Sequence, residues 1–164
     1  ETKSMEDVVI RGVSLDKNQA KVTLVQVPDK PGVAATIFKA ISDAAINVDM
    51  IVQNISHGSE SPSTDISFTV GKADLAKARK LIDDLHNEVQ FGEVLADEDI
   101  GMLSIVGVGM RNHTGVAAKM FETLSNESIN IEMISTSEIK ISVVIKLEEG
   151  ERAVKAVHAA FLED

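Results

Sequence analysis

The chain lacks cysteine, tryptophan and tyrosine, and only 3% of its 164 residues are aromatic. Without cysteine it has no disulfides, no thiolate metal ligands and no cysteine nucleophile. Because aromatic side chains are scarce, the core must be built from isoleucine, valine, leucine, alanine and methionine. The absence of cysteine is compatible with a reducing compartment, so we expect a cytoplasmic protein.

Basic residues are also few, since 16 Lys and Arg stand against 26 Asp and Glu, for a formal net charge of −10. Binding to nucleic-acid phosphates needs clustered basic side chains, so the charge argues against a nucleic-acid partner. No apolar run approaches the length of a membrane span and no signal peptide is visible, which predicts no membrane partner. The chain starts at Glu1, and Met5 is a candidate natural start.

What the chain does contain is an internal repeat. Gly-Val-Ala-Ala occurs at 32–35 and again at 115–118, and the sequence at 46–51 recurs in similar form at 129–134. Both pairs are 83 positions apart, since 115 − 32 and 129 − 46 give the same number. Two coincidences at one spacing indicate that a whole folding unit is duplicated.

The first unit has the pattern β-α-β-β-α-β. Apolar spacing of two residues predicts strands, and spacing of three and four predicts helices. The predicted strands are 22–27, 46–55, 66–70 and 89–95; the predicted helices are 33–45 and 75–85, with a turn at 56–63.

The second unit repeats this pattern but ends one strand early. Its predicted strands are 103–108, 129–136 and 139–147, and its predicted helices are 114–126 and 149–162. An N-terminal strand at 8–15 has no place in the first unit, and it would cover the open edge of the second sheet. We therefore predict an α+β protein with two ferredoxin-like domains, each an antiparallel sheet with helices on one face. The first domain (16–97) is inserted into the second (5–15 plus 98–164).

The turn that leads into the first helix of each unit is the sharpest candidate for a binding site. It reads Asp29-Lys30-Pro31-Gly32-Val33-Ala34 in the first unit, and 110–117 in the second include Asn112, Gly115, Val116 and Ala117. A helix N-terminus offers free N–H groups and a positive dipole end to a carboxylate, and Asp29 is an acceptor for an ammonium group. The alternative is a Pro-Gly turn that merely starts a helix.

The start of the second strand is the next candidate, because we expect it to lie beside that turn. It contains Asn47, Val48 and Asp49 in the first unit and Asn130 and Ile131 in the second; Gln53 and Thr136 also match at a spacing of 83. The alternative is that the two asparagines only shape a turn. Thr64 and Asp65 form a third cluster, for which strand capping is the plainer interpretation.

Catalytic signals are missing. The full dinucleotide-binding glycine pattern and the Walker A pattern are absent, and the four histidines lack metal-ligand spacing. No serine has a recognisable histidine base. The sequence therefore predicts no metal, no cofactor and no catalytic residue.

Several of these segments resemble the paired ACT domains of aspartate kinase. The resemblance is carried by 27–34, 46–54, 64–69, 106–111 and most specifically by 130–140, and it extends from Met5 to Leu162. It implies the C-terminal regulatory portion, or a separate regulatory subunit, of that ATP-dependent phosphotransferase acting on the aspartate carboxyl group. The kinase domain has no counterpart here, so the resemblance implies no catalysis by this segment alone.

The resemblance also implies a role and partners. The enzyme opens the pathway to lysine, threonine, methionine and isoleucine, and its ACT pairs bind end products and inhibit the kinase. It implies homodimers in which ACT domains of partner chains meet, with effectors at the seams, and a catalytic chain or domain as a partner. One pocket would use Asp29, Gly32 to Ala34, Asn47 to Asp49, Gln53 and Asp65; a related one would use Val116, Ala117, Asn130, Ile131 and Thr136.

The effector remains open between L-threonine and L-lysine, and we favour threonine at the first pocket with lysine as a co-effector. The second turn has two extra residues and no counterpart of Asp29, so its pocket is expected to differ or to stay empty. The rival hypothesis is a structural module that holds a kinase dimer together without binding amino acids.

Overall fold

The computed structural model describes residues 9–55, 63–108 and 113–162, which form two four-stranded antiparallel sheets and four α-helices. The elements in chain order are β1 (Val9–Asp16), β2 (Gln19–Pro28), α1 (Val33–Asp43), β3 (Val48–Ile55), β4 (Ser63–Gly71), α2 (Leu75–Leu85), β5 (Glu93–Asp97), β6 (Ile100–Val108), α3 (His113–Asn126), β7 (Met133–Thr136), β8 (Lys140–Lys146) and α4 (Gly150–Leu162). Single 3-10 turns at Lys72–Asp74 and Leu147–Glu149 lead into α2 and α4. Within the described residues, no helix is long and apolar enough to cross a membrane.

The chain divides into two compact units. Unit 1 is Asn18–Glu98, and unit 2 combines the chain up to Lys17 with the chain from Asp99 onward. The sheet of unit 1 has the order β3-β4-β2-β5, and that of unit 2 has the order β1-β6-β8-β7. The N-terminal strand β1 pairs antiparallel with β6, with Val13 opposite Ile105. The predicted fold class, two ferredoxin-like domains with one inserted into the other, is confirmed.

The core of unit 1 lies between its sheet and its two helices. Alternate residues of β2 (Ala20, Val22 and Leu24) are fully buried, because a strand turns every second side chain to the same face. Helix α1 presents Ile37 and Ile41 to them, at helical spacing. Two of the few aromatic residues also meet here, since Phe38 packs edge-on against Phe68 with ring centroids 5.5 Å apart.

The core of unit 2 also lies between its sheet and its two helices, with Phe121 and Phe161 packed partly against it. Its fully buried members come from β6, β8 and the two helices: Leu103, Ile105, Met120, Leu124, Ile141, Val143, Ile145, Ala153 and Val157. Burying each large side chain stabilises the fold by roughly 1.5–3 kcal/mol.

A hydroxyl pair defines which residues of the two units correspond. Thr23 and Ser67 join β2 to β4 through an Oγ–Oγ hydrogen bond of 2.8 Å. Ser104 and Ser142 join β6 to β8 in the same way at 2.7 Å. The strands of the two units can therefore be aligned residue by residue from these pairs.

The first helix of each unit also ends in the same way. Ala45 after α1 and Ser128 after α3 have φ of 60° and 61°. The next N–H donates back across the last turn, from Ile46 to the carbonyl of Ile41 (3.2 Å) and from Ile129 to that of Leu124 (3.0 Å). This is the Schellman ending, here built without glycine. The residue that takes the left-handed conformation is thus the one at 45 or 128.

Some strand boundaries differ from those predicted. The closing strand of unit 1 is Glu93–Asp97 instead of 89–95, because Phe91 turns inward, is buried and packs on the ring of His86 at 4.5 Å. Strand β7 is Met133–Thr136 instead of 129–136, since the chain before it first leaves the helix ending at Ile129. The predicted turn at 56–63 falls almost wholly outside the described residues.

Candidate functional site

The turn between β2 and α1 is built to leave a helix N-terminus open. Residues 29–32 (Asp-Lys-Pro-Gly) are all exposed, and Gly32 is the N-cap with φ 91° and ψ −14°. Glycine adopts this left-handed conformation without the steric cost that a Cβ adds. No side chain caps the helix, and the exposed Ala34 follows Val33 in the first turn. The Val33 N–H donates to the carbonyl of Lys30 at 3.3 Å, so the amides of Ala34 and Ala35 are the ones that can receive an anion, with the carboxylate of Asp29 close by in the chain.

Thr64 and Asp65 lie beside this turn but are engaged within the sheet. Thr64 is buried, and its hydroxyl donates to the carbonyl of Asn54 at 2.8 Å. Asp65 is half-buried, and its Oδ1 accepts the backbone N–H of Gln26 at 3.0 Å. For Thr64 the geometry is that of a strand cap.

Asn47, Val48 and Asp49 form the start of the edge strand β3. Asn47 and Asp49 are exposed, and Val48 is half-buried. These residues line a polar cavity of about 390 Å³ that is completed by Gln19, Gly71 and Asp74. The residue that takes the positive φ at this turn is Ala45, two residues before Asn47. The same holds for Asn130, which is exposed and follows Ser128.

The expectation that this strand start lies beside the turn of its own unit is wrong. Val48 pairs with Val70, which pairs with Ala20, whereas the turn follows Pro28, which pairs with Ser63. Strands β2 and β3 are parallel because each is antiparallel to β4, so their starts share one end of the sheet. Eight residues of strand separate the two ends, about 26 Å at 3.3 Å per residue. One pocket within a unit therefore cannot contain both groups.

Gln53 lies near the middle of the sheet of unit 1, level with a residue four positions before Pro28. It pairs with Ile66, which lies opposite Leu24, and its side chain is exposed on the edge strand. Unit 1 thus presents two separate half-sites, a turn half-site (29–34) and a strand half-site (47–49 with the cavity), and Gln53 lies between them along the sheet.

In unit 2 the helix starts differently. Helix α3 begins at His113, so Gly115 lies inside its first turn, whereas Gly32 precedes α1. The side chains of Val116 and Ala117 pack against the core, which leaves only their backbone for a ligand. Asn112 lies outside the described residues.

The strand half-site of unit 2 is closer to that of unit 1. Asn130 is exposed, Ile131 packs partly against the core, and the next N–H, of Glu132, donates to the carbonyl of Val144 at 2.8 Å. Thr136 is exposed at the other end of β7, opposite Ile141.

Sequence reasoning missed Gln26 and the residues that complete the cavity. Gln26 reads as an ordinary strand residue, yet its φ is 59° and the β2 register shifts between Leu24 and Val27. Nothing in the local sequence signals this, and the contact that the Gln26 N–H makes is with Oδ1 of Asp65, 39 positions away. Within the described ranges, no group of three or more histidine, aspartate or glutamate side chains could hold a metal ion.

Comparison with known proteins gives one family match. The ACT domain family matches residues 22–85 and again residues 103–161, one match in each unit. Among curated proteins, the aspartate kinase of Pseudomonas fluorescens is 50% identical over 161 residues, which are 98% of this chain and 38% of that protein. The aspartokinase of Corynebacterium efficiens is 44% identical over 157 residues, 96% of this chain and 37% of that protein. The chain therefore spans less than two fifths of the length of these relatives.

Solved structures of similar length also match. The ligand-free regulatory subunit of aspartate kinase from Thermus thermophilus superposes with a TM-score of 0.86 at 39% identity, over 93% of this chain and 99% of that one. A structure of aspartokinase alpha and beta subunits gives a TM-score of 0.84 at 45% identity, over 93% and 98% of the two chains.

Proposed function

Because the chain belongs to the ACT-domain family and is a regulatory portion of aspartate kinase, we propose that it binds an end-product amino acid and transmits feedback inhibition to the kinase. The observation that carries this proposal is the open N-terminus of α1 beside Asp29, with glycine at the N-cap in a conformation that other residues rarely adopt. In this role the chain would bind and report, while phosphoryl transfer to aspartate would belong to the catalytic chain or domain.

The turn half-site suits the charged end of an amino acid. The effector carboxylate would accept hydrogen bonds from the first-turn amides of α1, where the helix dipole favours negative charge. Asp29, exposed and three residues before the N-cap, supplies a charge for the effector ammonium. Gln53 would then reach toward the effector side chain.

The strand half-site would come from another copy of the chain. Since about 26 Å separate the two half-sites within unit 1, a single effector needs a second molecule to complete its pocket. The edge strands support such pairing: β3 and β7 are sheet edges among the described strands, and each exposes an isoleucine at the repeat-equivalent position. Ile51 is 54% exposed and Ile134 is 44% exposed. We infer a homodimer in which these edges meet and Asn47 or Asn130 closes the pocket.

Threonine is the effector that we favour for the turn half-site, with lysine as a co-effector. Threonine needs only a short polar pocket, which the turn and a second chain would form together, whereas lysine needs an acceptor for its second ammonium group. The cavity beside Asp49 and Asp74 could supply that acceptor. Binding would inhibit only if the effector prefers one arrangement of the dimer over the other, which then disfavours the active kinase. Such a sensor would work in the cytoplasm, where these amino acids are made.

Calorimetric titration of the 164-residue chain with L-threonine and with L-lysine tests the proposal. We expect saturable heat with threonine, and a rise in unfolding free energy of about 2.7 kcal/mol at a hundredfold excess over Kd. Asp29→Asn should weaken threonine binding at least tenfold, because it removes the charge that faces the ammonium.

The matched control is Asp84→Asn, at an exposed carboxylate on α2 far along the chain from the turn, which should leave Kd unchanged. If neither amino acid gave heat or a thermal shift at millimolar concentration, the sensing role would fail. If the chain that binds no amino acid sedimented as a dimer, the rival role would be favoured: a structural dimerisation module built on the exposed edge isoleucines.

A further inference from the structure

The last part of β2 contains a bulge immediately before the turn half-site. The pairing of β2 with β4 is regular up to Leu24 opposite Ile66 and resumes only at Val27 opposite Thr64. Within this interval Gln26 has φ 59°. A left-handed conformation costs a non-glycine residue free energy, so the surrounding structure must hold it in place. A bulge bends its strand, and here the bend lies two residues before Pro28.

Two contacts hold the bulge, one from each side. On the β4 side, Oδ1 of Asp65 accepts the N–H of Gln26 at 3.0 Å, which is the hydrogen bond that the displaced strand partner no longer provides. On the β5 side, the N–H of Gly92 donates to the carbonyl of Val25 at 2.7 Å. A Cβ at Gly92 would lie 2.7 Å from Oε1 of Gln26 and 3.1 Å from the carbonyl oxygen of Val25. The glycine therefore lets the chain approach the bulge closely.

At the position in unit 2 that corresponds to Gln26, the backbone N–H bonds to another backbone group and not to a side chain. Counting three residues from the hydroxyl-paired Thr23 and Ser104 gives Gln26 and Gly107 as equivalents. The N–H of Gly107 donates to the backbone carbonyl of Ile139 at 2.8 Å, and the pairing of β6 with β8 runs without a shift up to Val106. The carboxylate-held bulge thus occurs in the unit that carries Asp29.

We propose that Asp65 is a positioning residue for the effector: through the amide of Gln26 it holds the β2 bulge that aims residues 29–32, and it does not itself touch the effector. This inference rests on the proposed function. In this role Asp65 acts through its hydrogen-bond acceptor and not through its charge. A neutral side chain of the same shape should therefore replace it.

Two substitutions at position 65 separate these roles. Asp65→Asn keeps an Oδ1 acceptor and removes the charge, so threonine should bind within about twofold of the unchanged chain. Asp65→Ala removes the acceptor and should weaken binding at least tenfold. Asp29→Asn is the matched control, because a carboxylate that contacts the effector ammonium directly should not be replaceable by its amide. Equal losses in Asp65→Asn and Asp65→Ala would overturn the proposal and make Asp65 a direct contact.

Amide hydrogen exchange at Gln26 gives a readout that is independent of any ligand. Exchange should be at least tenfold faster in Asp65→Ala and nearly unchanged in Asp65→Asn. Equal exchange in all three proteins would overturn the positioning role even if the affinities changed. If the unchanged chain bound no amino acid, the proposed function would fail and take the link to an effector with it, while the exchange rates would still decide whether Asp65 holds the bulge.

Gly92→Ala disturbs the same bulge from the opposite side and leaves position 65 intact. The new methyl group would lie 3.1 Å from the carbonyl oxygen of Val25, so the backbone of the bulge must give by a few tenths of an ångström, while the exposed Gln26 side chain can rotate away. We expect faster exchange at Gln26 and weaker threonine binding, by about tenfold. Altered exchange with unchanged affinity would show that the bulge does not aim the turn, and the proposal would fall.

Discussion

The two units pair their central strands and end their first helix in the same way, but they differ in the turn that precedes that helix. Both join their central strands through one hydroxyl pair, and both end their first helix with a residue at φ near 60°. At the other end of the helix they part: α1 begins just after Gly32, whereas α3 begins two residues before Gly115. The units also differ two residues before the hydroxyl-paired Ser67 and Ser142. At that position unit 1 has Asp65, and unit 2 has Lys140.

The difference teaches where a duplicated sequence is free to change. Residues that pack in the core must keep their shape in both copies, because an altered volume leaves a cavity or a clash. The turn before the first helix contacts little of the core, so insertions there cost little. Unit 1 has kept a short turn with an acid and a glycine N-cap, and unit 2 has not. This is the pattern expected if the turn of unit 1 has a binding role that unit 2 lacks.

The largest difference in stability between the two units should come from replacing the repeat-equivalent glycines, Gly32 and Gly115, by alanine. Gly32→Ala places a Cβ on a residue with φ 91°, although no atom lies within 4 Å of it, so the cost is backbone strain of about 1–2 kcal/mol. Gly115→Ala lies within the first turn of α3 and should stabilise the protein by about 0.5–1 kcal/mol, since alanine favours the helix. Urea unfolding of both variants measures the difference.

The proposed difference between the two helix starts is wrong if both substitutions change the free energy of unfolding in the same direction. Equal destabilisation would mean that Gly115 is strained like Gly32 and that the two helix starts are alike. Threonine titration of the same proteins sharpens the contrast, because only Gly32→Ala should weaken binding. Far-UV circular dichroism of each variant serves as the control for folding.

Periodicity alone predicted most of the fold. A β-α-β-β-α-β pattern, its repeat one strand short and the inserted arrangement followed from apolar periodicity and from one unplaced strand. That strand was predicted at 8–15, and the structure has it at Val9–Asp16. Boundaries failed where a tertiary contact overrode the local pattern. Residues 89–91 read as a strand, but Phe91 turns inward to meet His86.

The site was less predictable, because the pairing register of the strands, and not the local sequence, decides which of its residues lie close together. The glycine of the turn was visible in the sequence, and its left-handed conformation at Gly32 is what the Pro-Gly pair favours. The separation of 47–49 from the turn follows from the parallel direction of β2 and β3, which only the pairing with β4 reveals. The hydrogen bond that Gln26 makes at the bulge spans 39 positions, and no short motif exists for such a contact.

Where the units agree, paired substitutions should agree as well. Ala45→Gly and Ser128→Gly each remove a Cβ from a left-handed residue, which relieves about 1–2 kcal/mol of strain. The greater flexibility of glycine in the unfolded chain cancels about half of that gain. We therefore expect each variant to be more stable by about 0.5–1 kcal/mol in urea unfolding. A gain in only one variant would mean that the two helix endings are energetically different despite their matching geometry.

The smallest expected difference concerns one exposed ion pair in each unit and appears only at the extremes of pH. In unit 2, the hydrogen bond from Lys17 holds the pKa of Glu151 below its ordinary value of 4.5. This contribution is present above pH 4.5 and is lost as the pH falls through the lowered pKa. In unit 1, the hydrogen bond to Asp43 raises the pKa of Lys39 above 10.5, so that contribution is present below pH 10.5 and is lost as the pH rises.

Glu151→Gln should therefore make stability less dependent on pH below 4.5, and Lys39→Gln should make it less dependent on pH above 10.5. Both pairs are exposed, with side-chain exposures of 51% and 65% for Lys17 and Glu151 and of 76% and 65% for Lys39 and Asp43. Solvent screens such pairs, so we expect shifts at the limit of detection in urea midpoints, and smaller ones in 1 M salt. An unchanged dependence of stability on pH below 4.5 in Glu151→Gln would contradict the assignment of that loss to Glu151, because the substitution removes the group that titrates there.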